Sequence, residues 1–170
     1  MSQYPVLYAG RRMHSGLLAS MLPVEAYKRV TTTRTATTTT ADDPDLAFSL
    51  EANAIYFLEF FVHYQAPSAE LIKTTWSVPA DAIGLRSAWG VASGVVSADP
   101  SGDGRWGIHA FTTTCTYGTR SSASQSMLVE TGQVETTSAG TVAFQWAQAT
   151  SGLTGVQVCS GSYGRAKRIG

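Results

Sequence analysis

The stretch Asp99-Pro100-Ser101-Gly102-Asp103-Gly104 sets oxygen-bearing side chains at the first, third and fifth places of a calcium loop, with glycine at the sixth, where such a loop turns sharply. The twelfth place, which should bring a bidentate carboxylate, is Ala110, and the ninth is Gly107. Too few oxygens remain for a calcium shell, so an Asp-Gly-rich turn without metal is expected. The same residues match GxGxxG through Gly102, Gly104 and Gly107. A dinucleotide site needs that pattern between a strand and a helix, whereas a β-like run, IHAFTTTCTY, follows it here. His14, His63 and His109 fall in no HxH or HExxH spacing, and neither a GxSxG elbow nor a P-loop occurs. Glu51, Glu59, Glu70, Glu130 and Glu135 include enough carboxylates for a glycosidase pair. The sequence leaves their separation open, and exposed carboxylates are the default. No enzymatic activity and no cofactor are expected.

Flat aromatic faces suit sugars and interfaces, so Trp76, Trp89, Trp106 and Trp146, with seven tyrosines, keep a carbohydrate-binding reading in play, although most should be core. Arg165, Lys167 and Arg168 make the C-terminal end locally basic and are expected on a solvated face. Cys115 and Cys159 lie in β-like runs and read as small buried hydrophobes, with a disulfide as the alternative.

The elements that must carry these residues form three zones. Residues 1–29 are an arm: an extended start closed by Gly10, then Met13, Leu17, Leu18, Met21 and Leu22 at helical spacing over 11–22, stopped by Pro23. Gly16 weakens so short a helix, which therefore needs something to dock on. Residues 30–40, VTTTRTATTTT, are stiff at χ1 and favour a strand at an edge or interface, followed by a turn at Asp42-Asp43-Pro44-Asp45. From Leu46 onward, β-like runs at 46–50, 55–65, 70–78, 87–96, 106–117, 127–136, 141–148, 156–162 and 165–169 are separated by turn residues such as Ala52-Asn53, Pro79-Ala80-Asp81 and Ser138-Ala139-Gly140. No strand alternates with a long amphipathic helix. The expected fold is all-β: an antiparallel β-sandwich over 30–170, jelly-roll-like, preceded by the arm with its one short helix.

One strand stands apart. IYFLEFFVHY is apolar on both faces, with Ile55, Phe57 and Phe61 on one and Tyr56, Leu58, Phe60, Val62 and Tyr64 on the other. A second cover is required, either another subunit or the arm folded back. Ile55, Tyr56, Phe57, Phe60 and Phe61 are the candidate oligomer interface, with a trimer as the expected state.

Composition sets the outer limits. The 170 residues carry twelve Lys plus Arg against twelve Asp plus Glu, and 14% charged residues is low, so nucleic acid is not an expected partner. Ser and Thr, 39 together, take the polar share. No apolar run is long enough to insert in a membrane, and the first residues lack the apolar stretch of a signal peptide.

Three segments, YPVLYAGRRMHSGLLASMLPVEAYK, DPDLAFSLEANAIYFLEFFVHYQAPSAELIKTTWSVPADA and GTVAFQWAQATSGLTGVQVCSGSYGRAKRIG, together resemble a family of small virion proteins of tailed phages infecting actinobacteria, the minor tail type. The resemblance rests in the arm on Ala9, Gly10, Arg12, Leu17, Leu18, Ser20 and Met21, and is weakest over 87–135. His14-Ser15-Gly16 departs from the family's helix start. The resemblance implies a non-enzymatic structural component of the virion, assembled in the host cytoplasm beside other virion proteins. A tail-tip or fibre-associated role touching a host-surface glycan is favoured over capsid decoration or a head fibre, with a carbohydrate-binding module third. The arm, through Tyr4, Val6, Leu7, Met13, Leu17, Leu18 and Met21, is the expected anchor, because a segment too short for its own core gains most by docking elsewhere.

Overall fold

The computed structural model describes residue 5 and residues 7–93 and 104–170. The calcium-like residues Asp99, Ser101 and Asp103, and Tyr4 and Val6 of the arm, lie outside the described residues.

Two antiparallel sheets face each other across one core, as the sequence pattern predicts. Sheet A runs β1 (Val24–Tyr27), β12 (Tyr163–Arg168), β4 (Ala54–Gln65), β9 (Ser126–Thr136), β6 (Ile83–Val91) and β7 (Gly104–His109). In the same sheet β11 (Val156–Val158) pairs with the far end of β4 and carries β2 (Thr32–Arg34) on its other side. Sheet B runs β3 (Ala41–Leu50), β10 (Gly140–Gln148), β5 (Ile72–Ser77) and β8 (Cys115–Tyr117). From β2 onward the chain crosses between sheets at nearly every connection, so most links are arches over the core, and among the described residues only β6 and β7 form a hairpin of sequence neighbours.

Period-two alternation fixes the faces. Along β4, Tyr56, Leu58, Phe60, Val62 and Tyr64 are buried and the residues between them point outward. Phe60 sits at the centre, edge-on to Trp76 at 5.0 Å and tilted against Phe144 at 5.6 Å and Phe48 at 5.8 Å. Two inward glycines make room for aromatics of the opposite sheet. A Cβ on Gly132 would come within 2.9 Å of the Trp76 ring, and one on Gly90 within 2.6 Å of the Tyr117 ring.

Several expectations need correction. Asp42-Asp43-Pro44-Asp45 is not a turn but lies inside β3, across a register shift against β10 between Ala143 and Gln145. Pro44 has no N–H to give a ladder, and an irregularity is where a strand tolerates it. The threonine tract forms a strand only over Thr32–Arg34, at the sheet edge. The rest, with Ala36 at φ 53°, crosses to sheet B, where Thr75 Oγ1 lies 3.2 Å from Thr40 Oγ1. The run expected over 106–117 splits into β7 and β8 in different sheets, because Phe111 turns into the core to stack on Trp76 at 5.9 Å. The helix, α1, is Ser15–Ser20, shorter than 11–22, and the His14 ring caps it through Nδ1, which accepts from Leu17 N at 3.2 Å. β1, within the segment read as arm, is paired with β12, so the sheet already starts at Val24.

Candidate interaction face

Chemistry-bearing side chains gather in two places inside the sandwich. Glu130, inward on β9 and fully buried, accepts from Thr74 Oγ1 at 2.5 Å, Tyr117 Oη at 2.7 Å and Trp76 Nε1 at 2.6 Å, and pairs with the buried Arg86 of β6. Arg86 also donates to the backbone carbonyls of Thr74 at 3.1 Å and Thr113 at 2.5 Å. Burial, together with the neighbouring Glu130 charge, pushes the Tyr117 phenol well above its ordinary range. Tyr64, whose hydroxyl donates to the carbonyl of Gly118, is likewise pushed up by burial.

At the other end of the core, Lys28 Nζ donates to Thr32 Oγ1 at 2.8 Å, Asp43 Oδ1 at 3.0 Å and Asp45 Oδ2 at 3.1 Å. Asp43 Oδ2 accepts from Trp146 Nε1 at 3.0 Å, and the Arg34 guanidinium lies 4.1 Å over the Trp146 ring. Arg34 donates to the carbonyls of Ala41, Asp42 and Trp146, and its burial lowers its pKa against the pull of Asp43 and Asp42. Nearby Cys159 has its thiol pushed up by burial, a shift the Lys28 charge opposes. In each cluster the buried carboxylate takes one donor from its own sheet, Arg86 for Glu130 and Trp146 for Asp43, and others from the opposite sheet or its flanking segment, Thr74, Trp76 and Tyr117 for Glu130 and Lys28 for Asp43. The arrangement joins the two sheets.

These clusters escaped the sequence reading. Glu130, read there as exposed by default, is fully buried. Its parity with Leu128 and Val134 on β9 was the available signal, as was that of Arg86 with Ala88 on β6. The other carboxylates stand apart: Glu51 pairs with Arg168 and Glu59 with Arg165, at the surface. Arg165 and Lys167 point outward on β12, as expected, but Arg168, opposite the core residue Tyr56, takes the other face of the strand and does not share theirs. Cys115 and Cys159 are both buried thiols. Among the described residues no group of three His, Cys, Asp or Glu could hold a metal, and no helix is long and apolar enough to cross a membrane.

The outward faces of the two sheets differ in kind. Sheet B presents Ala47, Ser49, Thr141, Gln145, Lys73 and Ser77. Sheet A presents Tyr27, Phe57, Ile83, Leu85, Trp89, Ile108 and Met127, each between 40% and 71% exposed. With about 150 Å² per side chain, the low end for aromatics, the seven leave roughly 600 Å² of apolar surface open. These side chains share the face with Glu25, Arg165, Glu59, Lys167 and Glu135, so the apolar exposure is interleaved with charge.

This face holds part of the proposed oligomer interface. Ile55, Phe57 and Phe61 are on it, but Tyr56 and Phe60 are core residues and cannot meet a partner, because neighbours on a strand point to opposite sides of the sheet. In the arm, Leu17 is buried, while Leu7, Met13, Leu18 and Met21 are exposed.

No family model and no curated protein matches the chain. Among solved structures it is similar to one of the infectious bursal disease virus Gx strain, at 8% identity and a TM-score of 0.22, over 87% of this chain and 40% of that one. A structure of the Gt strain gives 8% identity and a TM-score of 0.18, over 86% of this chain and 42% of the other. The chain thus spans about two fifths of the chains it is compared with, and at such TM-scores the likeness bears on neither fold nor function.

Proposed function

We propose that this chain is a non-enzymatic structural component of a phage particle, held by its N-terminal arm, with the outer face of sheet A turned away from the attachment point to make contacts. The observation that carries this reading is the contrast between the two outer faces. A protein that worked in a cleft would have no use for large apolar side chains held exposed on a sheet face, whereas one that works by surface contact needs them. The setting in a virion, and in the tail rather than the head, rests on the resemblance of the arm and of both β-segments to actinophage minor tail proteins.

The exposed Leu7, Met13, Leu18 and Met21 suit the arm to anchoring, since burying each contributes roughly 1.5–3 kcal/mol before ordering costs. Mass spectrometry of separated heads and tails from the encoding phage tests the setting. The chain is expected in tails. Recovery in heads would instead make it a decoration or head-fibre protein, and absence from both would refute a virion role. A chain lacking residues 1–22 tests the anchor. It keeps β1 and Lys28, so it should fold, yet fail to join particles when supplied in trans.

A further inference from the structure

The strand register orders the outer face of sheet A into rows that run across the strands. One row is Tyr27, Tyr163, Phe61, Val129 and Trp89, each opposite the next on the adjoining strand. Tyr163 and Phe61 are stacked with centroids 5.8 Å apart and planes 28° from parallel, and His63 meets Phe61 edge-on at 5.1 Å. From Tyr27 to Trp89 is four strand steps, about 19 Å. Beside it, one pleat along, runs a second row of different chemistry: Glu25, Arg165, Glu59, Thr131 and Ser87. Arg165 Nη2 lies 2.6 Å from Glu59 Oε2, which is itself buried, while about half of the Arg165 side chain is exposed, so it is the guanidinium that offers donors to the surface.

We infer that this face is a platform for an extended, β-linked oligosaccharide lying across the strands, an inference that rests on the reading of the sandwich as the contact-making part of the molecule. A pyranose ring with equatorial substituents has an apolar face of C–H bonds and a rim of hydroxyls. The C–H face meets the negative face of an aromatic ring favourably, and the rim needs donors and acceptors at its edge. The exposed Trp89 and Tyr27 at the two ends of the aromatic row supply ring faces, the stacked Tyr163 and Phe61 lie between them, and the row of carboxylate, guanidinium and hydroxyl groups runs alongside. Because neighbouring strands are rotated by about 20°, the platform is twisted, which suits a single soluble chain better than a flat crystalline surface.

A second copy of the protein is the competing occupant. It would have to bury Glu25, Glu59 and Arg165 in the middle of the contact, where interfaces are depleted of charge and where desolvation opposes association. A saccharide replaces the water on those groups with hydroxyls.

The test is titration of the ¹⁵N-labelled full chain with cello- and chito-oligosaccharides, followed by backbone and indole N–H shifts. Shifts are expected on β4, β9, β6 and β12 with at least one of the two, and Trp89→Ala should weaken binding roughly tenfold or more. Glu59→Gln should weaken it while leaving the fold intact, and Leu153→Ala, at a remote exposed position, should change nothing. Absence of shifts with both oligosaccharides at millimolar concentration, or binding indifferent to Trp89→Ala, overturns the inference. So does a dimer in sedimentation that Trp89→Ala dissolves, which would give the face to a second copy. Recovery of the chain in particles while it binds neither sugar would refute the platform and leave the structural role standing.

Discussion

Replacing Glu130 by Met removes the one acceptor on which four donors converge, Thr74, Trp76, Tyr117 and Arg86. The volume changes little, so the loss is electrostatic. Arg86 keeps two backbone carbonyls but no counter-charge, and an uncompensated buried charge costs about 3–5 kcal/mol. Against a domain stability of about 5–15 kcal/mol this is a large fraction. In urea, with a slope of about 2 kcal/mol per molar, the midpoint should fall by about 2 M. The sharper reading comes from the cycle with Arg86→Met. If the cost of Glu130→Met lies in the counter-charge that the ion pair between β9 and β6 supplies, the double variant should be more stable than Glu130→Met alone, because the second change removes the stranded charge. Equilibrium unfolding followed by fluorescence and far-UV circular dichroism measures all four corners. A Glu130→Met cost below about 1 kcal/mol, the scale of an exposed pair, or a double variant whose losses simply add, would refute the account of this cluster.

Other outcomes follow from the same core. Tyr64 and Tyr117 have folded pKa values raised above the ordinary phenol value of 10.0, so the stability they contribute is fully present below pH 10. Above that pH the unfolded state loses protons first, and stability should fall by about 1.4 kcal/mol per pH unit for each tyrosine. Unfolding curves between pH 8 and 11 should therefore be flat and then drop, and a drop beginning near neutrality would contradict the assignment. Gly132→Ala should destabilise by about 1–3 kcal/mol through its clash with Trp76, whereas Gly10→Ala, with open space around it but φ of 80°, should cost less. Ellman's reagent should leave Cys115 and Cys159 unlabelled in the native protein and label both after unfolding, since both thiols are buried.

How far the sequence could be read depended on which physical signal each element carried. The alternation in β4 and β10 and turn residues such as Asn53 and Asp81, both at positive φ, are local properties, and the sandwich was legible from them. Asp42-Asp43-Pro44-Asp45 has turn chemistry, but Lys28 and Trp146, distant in sequence, hold Asp43 in a strand, and no local pattern reports such partners. The interface set at 55–61 mixed both faces of β4. When both faces of a strand are apolar, periodicity separates the faces without saying which is core, and only the packing of Phe60 on Trp76 and Phe144 decides it. The aromatic row was out of reach for another reason. Tyr27, Tyr163, Phe61 and Trp89 come from four strands, and their alignment exists only in the register.

Hydroxyl-radical footprinting of intact particles against the free chain tests the central claim, an anchored arm and an outward sheet, most directly. Met13, Met21, Trp89, Met127 and Tyr27 are all exposed in the free chain and all oxidise readily. On the particle, Met13 and Met21 are expected to become protected while Trp89, Met127 and Tyr27 stay reactive. Protection of Trp89 and Met127 with Met13 and Met21 still reactive would contradict the account and make the sheet face, rather than the arm, the surface that holds the chain in place.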